Sequence, residues 1–361
     1  MRIGILTFHN AINHGAVLQA YATQTLLCDM GHEAELIDYR NEAVESYYDN
    51  MRFHLGVLLK KRKKRYLLSP ILFWLQRRAF SRFNRKHLNV APKTRKLNEY
   101  DLVLAGSDQL WNLQLTGGFD DMFWGNTAAA QHTRIASWAV SAGSKALPID
   151  KEQTERIRTL LRNFCALSVR ENSLQERISK LTDMPVVPVL DPTLLLPAER
   201  WSALCHKVHT KNYVVAYAVE FWDKREVGRV AKRLAERMGL SLVLIRIYAD
   251  TGSMKDALHG FGPDDYLSYL KDASYVVTSS FHGTAFALMF KKQFYCVVDP
   301  EVGNVRVQDL LIKAGMESRI VGYDADFTNV EDIDYENYDP YAALADERRR
   351  SMEFLERVIK K

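Results

Sequence analysis

Val276-Val277-Thr278-Ser279-Ser280-Phe281-His282-Gly283-Thr284-Ala285-Phe286-Ala287-Leu288 is the stretch whose reading decides the fold. Residues 275–277 read as a buried parallel strand and 284–290 as a buried helix. Two serines, a histidine and a glycine lie between them. In open α/β sheets ligands collect at the carboxyl ends of strands, where the unpaired N–H groups of the next helix favour an anion. Gly283 lets backbone approach a ligand closely, and Ser279, Ser280 and Thr284 offer hydroxyls. His282 can donate to an oxyanion or move a proton. The stretch therefore predicts a phosphate site with a titratable group at its mouth. The competing reading is a plain helix start around a buried, satisfied histidine.

The N-terminus has the same grammar. Residues 1–8 read as a first core strand, too quickly polar for a signal peptide. A loop over 9–15 leads to a helix over 16–30, in which Val17, Ala20, Tyr21, Leu27 and Cys28 share a face. A second strand follows at 35–38. This doubly wound opening makes Asn13, His14 and Gly15 ligand candidates, without the GxGxxG of a dinucleotide site. Further strands at 101–105 and 166–169 place Asp108 and Arg170 at strand tips. Asp108 suits orienting or deprotonating a sugar hydroxyl, or it caps the next turn. Arg170 suits bidentate binding of a carboxylate or phosphate, or forms an ion pair with Glu171 or another acid.

A second α/β series begins at 213. The expected architecture is two doubly wound, Rossmann-like domains facing a cleft, over 1–198 and 199–338. Asp339-Pro340 then starts a terminal helix, over 339–361, that packs back on the body.

The 361 residues are 47% apolar and 26% charged, as in ordinary globular proteins. No apolar run approaches the roughly 20 residues of a membrane span. The four cysteines lie far apart in apolar surroundings and predict buried, reduced thiols in a cytoplasmic protein. No metal-ligand cluster is visible, so neither a metal nor a cofactor is expected. The net charge of +5 conceals an asymmetry. Residues 51–98 hold 15 Lys or Arg and no Asp or Glu, leaving 34 basic against 44 acidic residues elsewhere. Within this basic insertion a helix starts at Ser69-Pro70, with Leu72, Leu75, Ala79 and Phe83 on one face and Arg77, Arg78, Ser81 and Arg85 opposite. Such a segment fits an anionic membrane surface, or is a solvated helical insertion. No nucleic-acid motif accompanies it, and nucleic acid is not expected as a partner.

Several motifs in order resemble the polysaccharide pyruvyl transferase family. They are Gly4-Ile5-Leu6-Thr7-Phe8-His9-Asn10 with Asn13-His14-Gly15-Ala16-Val17-Leu18-Gln19, Ala105-Gly106-Ser107-Asp108-Gln109-Leu110-Trp111-Asn112, Ser168-Val169-Arg170-Glu171, Val189-Leu190-Asp191-Pro192-Thr193-Leu194 and the stretch around His282. The resemblance covers most of residues 1–315 but neither the basic helices nor the tail. It implies a GT-B-like fold and transfer of a pyruvyl group from phosphoenolpyruvate to the hydroxyls of a saccharide, either a polysaccharide or a lipid-linked precursor of the kind envelope polysaccharide assembly uses. It also implies His282 as the acid that protonates the donor and contacts its phosphate, Arg170 as the holder of its anionic end, and Asp108 at the acceptor hydroxyl. One position departs from the pattern. Many relatives carry arginine two residues before the histidine, where this chain has Ser280, so either another cation such as Arg246 or Arg306 supplies that charge or the donor is held differently. A nucleotide-sugar glycosyltransferase of the same fold and a membrane-surface scaffold are the competing functions.

Overall fold

The computed structural model describes residues 1–48, 69–127, 133–143, 150–219, 221–246, 257–258, 261–299 and 301–360. Its first sheet is built from β1 (Arg2–Leu6), β2 (Glu33–Leu36), β3 (Leu102–Gly106) and β4 (Arg134–Trp138), in the order β2-β1-β3-β4. All pairings are parallel. A parallel pair, β5 (Leu167–Val169) and β6 (Val186–Pro188), extends it through bridges at Ala136–Ala166 and Val140–Val169. The second sheet contains β7 (Tyr213–Ala218), β8 (Ser241–Arg246), β9 (Ala257–Leu258), β10 (Tyr275–Thr278), β11 (Gln293–Val297) and β12 (Ile320–Val321). Its order is β12-β11-β10-β7-β8-β9, again parallel.

Helices cover both sheets. With the first run α1 (His14–Asp29), α2 (Glu42–Tyr48), α3 (Ser69–His87), α4 (Lys151–Leu161), α5 (Asn172–Ser179) and α6 (Ala198–Ser202). After β7 come α7 (Phe221–Met238), α8 (Pro263–Asp272), α9 (Phe281–Met289), α10 (Val305–Lys313), α11 (Pro340–Ala343) and α12 (Ala345–Lys360). Covering on both faces explains why β3, β7 and β10 are buried at every position and read as unbroken apolar runs. Two Rossmann-like halves result, the GT-B-like arrangement expected. Each sheet has a switch point, between β1 and β3 and between β7 and β10, and the loops leaving β1 and β10 open there.

The halves meet through aromatic packing around His14. Its ring stacks on Tyr266 at 4.7 Å, with Phe80 at 5.0 Å and Tyr217 at 5.7 Å. His14, a ligand candidate by its position in the loop, is fully buried in this aromatic layer. The C-terminal helix α12 returns to the first sheet, where Phe354 stacks on Trp138 at 6.2 Å and Ser351 Oγ accepts from the Leu190 N–H at 2.9 Å. Among the described residues no helix is long and apolar enough to cross a membrane.

Three local expectations need correction. Helix α9 begins at Phe281, not 284, because the Ser280 side chain caps it. On α3 the buried stripe is Phe73, Gln76, Ala79, Phe80 and Phe83, whereas Leu75 is exposed. Phe80 sits on His14 and Phe83 on Tyr21, and these contacts set the helix's rotation. Of the cysteines only Cys296 is buried; Cys28 lies on the solvent side of the last turn of α1, and Cys165 in the exposed turn before β5. The first part of the basic insertion, 51–68, and the Leu72 side chain lie outside the described residues.

Complete burial lowers the His14 pKa to about 3, so the ring is neutral in the folded state at pH 7. Between that value and the ordinary 6.5 only the unfolded chain takes the proton, so stability must fall as pH drops through this window. Urea unfolding should show a loss approaching about 1.4 kcal/mol per pH unit below pH 6 that is absent in His14→Phe. Equal slopes for both proteins would refute it.

Candidate active site

The first turn of α9 is built by short side chains. Ser280 Oγ accepts from the Gly283 N–H at 3.4 Å. Thr278 Oγ1 donates to the Tyr217 carbonyl at 2.7 Å and accepts from the Ser280 N–H at 3.0 Å. A Cβ on Gly283 would lie 2.3 Å from Thr278 Oγ1, so glycine here lets the helix close down on its own strand. Thr284 is fully buried and donates to the Ser280 carbonyl at 3.1 Å, which turns its hydroxyl back onto the helix. The Ser279 carbonyl accepts from Asn304 Nδ2 at 3.0 Å. His282 is the second residue of this turn and is buried.

The loop after β1 comes to meet it. Asn13 caps α1, its Oδ1 accepting from the Ala16 N–H at 3.2 Å, while its Nδ2 donates to the Tyr48 hydroxyl at 3.2 Å. Two residues on, a Cβ at Gly15 would stand 2.0 Å from His282 Nδ1. The Gly15 backbone is therefore one wall of the histidine's socket.

The other wall is charged. Asp191 Oδ1 accepts from the Thr193 N–H at 2.9 Å and its hydroxyl at 2.6 Å. Its Oδ2 lies 3.5 Å from His282 Nε2 and accepts from Arg170. The Arg170 guanidinium is also 3.7 Å from Glu171, 4.0 Å from Asp108 and 4.8 Å from the centre of the Phe281 ring. Its Nε and Nη2 are buried with no hydrogen bond among the described residues. Burial pulls the Arg170 pKa down, but Asp191, Glu171 and Asp108 more than offset it and keep the guanidinium charged. Burial pushes the Asp191 carboxyl up, yet His282, Arg170 and Thr193 together hold it below the usual carboxylate range. Glu171, which accepts from the Ser141 hydroxyl, is driven the other way, because burial outweighs the pull of Arg170.

Of the residues singled out from the sequence, His282, Gly15, Arg170 and Asp108 thus converge. Asp108 also accepts from the Gln109 N–H at 2.8 Å, so it caps its turn while facing Arg170. Arg306 lines a narrow cleft with Arg170, Glu171, Asp191 and Phe281, joined by Lys313. Arg246 ends β8, but its side chain lies outside the described residues. Asp191 is the residue that sequence reasoning assigned no role. Its sequence signal, Asp191-Pro192-Thr193, reads as a turn cap, which it also is.

The sequence pattern of polysaccharide pyruvyl transferases matches residues 13–299. The chain belongs to the polysaccharide pyruvyl transferase family. The match begins at the cap of α1 and ends after β11, so it contains Gly15, Asp108, Arg170, Glu171, Asp191 and His282 but not Arg306 or Lys313. No curated protein matches the chain. Among solved structures, a UDP-N-acetylglucosamine 2-epimerase from Rickettsia bellii is similar with a TM-score of 0.52 at 12% identity, over 99% of this chain and 95% of that one. The UDP-GlcNAc 2-epimerase of Neisseria meningitidis bound to UDP-GlcNAc gives 0.47 at 11% identity, over 100% of both chains. At such identities the likeness concerns the fold alone.

Removing one member of a buried charge pair leaves the other uncompensated, at a cost of about 3–5 kcal/mol. Asp191→Asn should lose that much in urea unfolding at pH 7. A loss under about 1 kcal/mol, the level of an exposed ion pair, would show that Asp191 does not hold the cluster together.

Proposed function

We propose that this protein transfers the pyruvyl group of phosphoenolpyruvate to two hydroxyls of a saccharide, forming a ketal and releasing phosphate. The observation that supports this most is the buried His282–Asp191–Arg170 array at the start of α9, in a chain of this family. The donor carries a phosphate and a carboxylate. The N–H groups of the first turn of α9 suit the phosphate, and the unbonded Nε and Nη2 of Arg170 suit an anionic oxygen. Arg306, which lines this cleft with Arg170 and Lys313, is the residue we assign the charge of the arginine that Ser280 replaces.

The chemistry begins with a proton delivered to the donor's methylene carbon by His282, which leaves an oxocarbenium-like centre at the neighbouring carbon. Asp191 fixes the ring for this step. The first sugar hydroxyl adds to that centre and gives up its proton, with Asp108 as the acceptor-side carboxylate. The C–O bond to phosphate then breaks, and the second hydroxyl closes the ketal as its proton leaves. Of the two hydroxyl protons, one balances that taken by the methylene carbon and the other leaves with phosphate. No residue of this scheme requires a metal. The acceptor is a polysaccharide or a lipid-linked precursor of one, and the setting is the cytoplasmic side of the envelope.

Thermal melting tests the donor first. At about 100 times its dissociation constant, phosphoenolpyruvate should stabilise the protein by about 2.7 kcal/mol, and His282→Ala should abolish the shift. A shift with a nucleotide sugar and none with phosphoenolpyruvate would replace this reading with glycosyl transfer.

Gly15→Ala tests the socket. The added methyl overlaps the imidazole and must displace it, and a misplacement near 1 Å costs about a hundredfold in rate. Pyruvyl transfer should fall by about that factor while phosphoenolpyruvate still shifts the melting curve. Unchanged kcat would mean that the position of His282 is not critical.

A further inference from the structure

Helix α3 carries a solvent face that pyruvyl transfer leaves unused. Its inner side is fixed by Phe73, Phe80 and Phe83, all buried. On its outer side Ile71, Trp74 and Leu75 are 56%, 51% and 39% exposed. Their spacing of i, i+3 and i+4 places them on one face. That face continues through Arg78, Arg82 and Arg85, which are exposed, as is Lys86 beside them. The Arg78 guanidinium lies 5.4 Å from the Trp74 ring, and Arg82 is 3.6 Å from Asp264 at the start of α8. In the sequence, six consecutive basic residues, Lys60-Lys61-Arg62-Lys63-Lys64-Arg65, precede this helix.

Single exposed apolar residues need no explanation. Three on one helical face, one of them tryptophan, continuing into a cationic half, form the pattern of a helix lying in a membrane interface. We propose that this face docks the protein on an anionic lipid bilayer. Ile71, Trp74 and Leu75 enter the boundary between headgroups and acyl chains, and Arg78, Arg85 and Lys86 lie against lipid phosphates. The charge of one sign favours a bilayer over a protein partner, since a continuous negative surface answers every cation at once. Because Phe80 on the inner side touches His14, next to Gly15, docking would hold the catalytic cleft within a helix's width of the membrane. The inference stands apart from the donor's identity, since lipid binding requires no turnover.

Sedimentation of the full chain with vesicles decides it. Phosphatidylcholine vesicles containing phosphatidylglycerol should carry the protein down, phosphatidylcholine alone should not, and added salt should weaken binding. Ile71→Ser with Trp74→Ser should reduce partitioning at least about tenfold, and each of Arg78→Gln and Arg85→Gln about fivefold. Unchanged melting temperatures would show that the variants fold. Failure of the wild-type chain to bind anionic vesicles, or equal binding by the apolar variant, overturns the proposal. So does a halved solution mass in that variant, which would assign the face to a second copy, or tight binding of duplex DNA that survives it.

Discussion

The contact between Gly15 and His282 is the constraint on which the rest depends. Two helix N-termini, one from each sheet, approach so closely that a methyl group at position 15 would fall 2.0 Å from the imidazole. Each loop opens at the switch point of its own sheet, which is why an anion-favouring site forms there at all. Bringing the two together makes one socket from both halves. Its dimensions are set by how the halves pack, and the packing is mediated by His14, Tyr266, Tyr217 and Phe80 immediately behind. A neutral, fully buried histidine in that layer therefore bears on how the two helix starts meet.

Charge burial in the cluster works against stability and for orientation. Asp191, Arg170 and Glu171 have lost almost all their water, and a hydrophobic replacement of such a set is often at least as stable. What the charges provide is direction. Asp191 has one oxygen committed to Thr193, and its other oxygen joins Arg170 to His282. Glu171 and Asp191 are adjacent to one guanidinium yet shift in opposite directions, because Asp191 also faces His282 and accepts from Thr193. Two carboxyls with divergent proton affinities around one cation are what a site handling a proton and an anion requires.

The fold was legible because parallel strands covered on both faces must be apolar throughout, and Leu102 to Ala105, Tyr213 to Ala218 and Tyr275 to Val277 obey that condition. The loops after the first and last of these strands were read as ligand loops because ligands in open α/β sheets collect at the carboxyl ends of strands. Asp191 was not, since its partners lie 21 positions back and 91 positions ahead, and local sequence shows only its capping of Pro192–Leu194. Ser280 hid the true start of α9, as serine suits a loop and a helix cap equally well. On α3 periodicity gave a helix but misplaced its face, because Phe73, Phe80 and Phe83 took the inner positions and left Leu75 outside.

The C-terminal helix completes the site's support from an unexpected direction. It follows the second sheet in sequence, lies beyond the family match, and yet packs against the first sheet through Phe354 and Trp138. Ser351 accepts from the N–H of Leu190, and Arg348 donates to the carbonyls of Leu194 and, at 3.0 Å, Leu195. These bonds grip the chain on both sides of Asp191. The carboxylate that faces His282 is therefore clamped from behind by the tail, while Gly15 confines the same ring from the front. The geometry around His282 is a property of three distant segments, and the tail belongs to it as surely as the two loops that meet there.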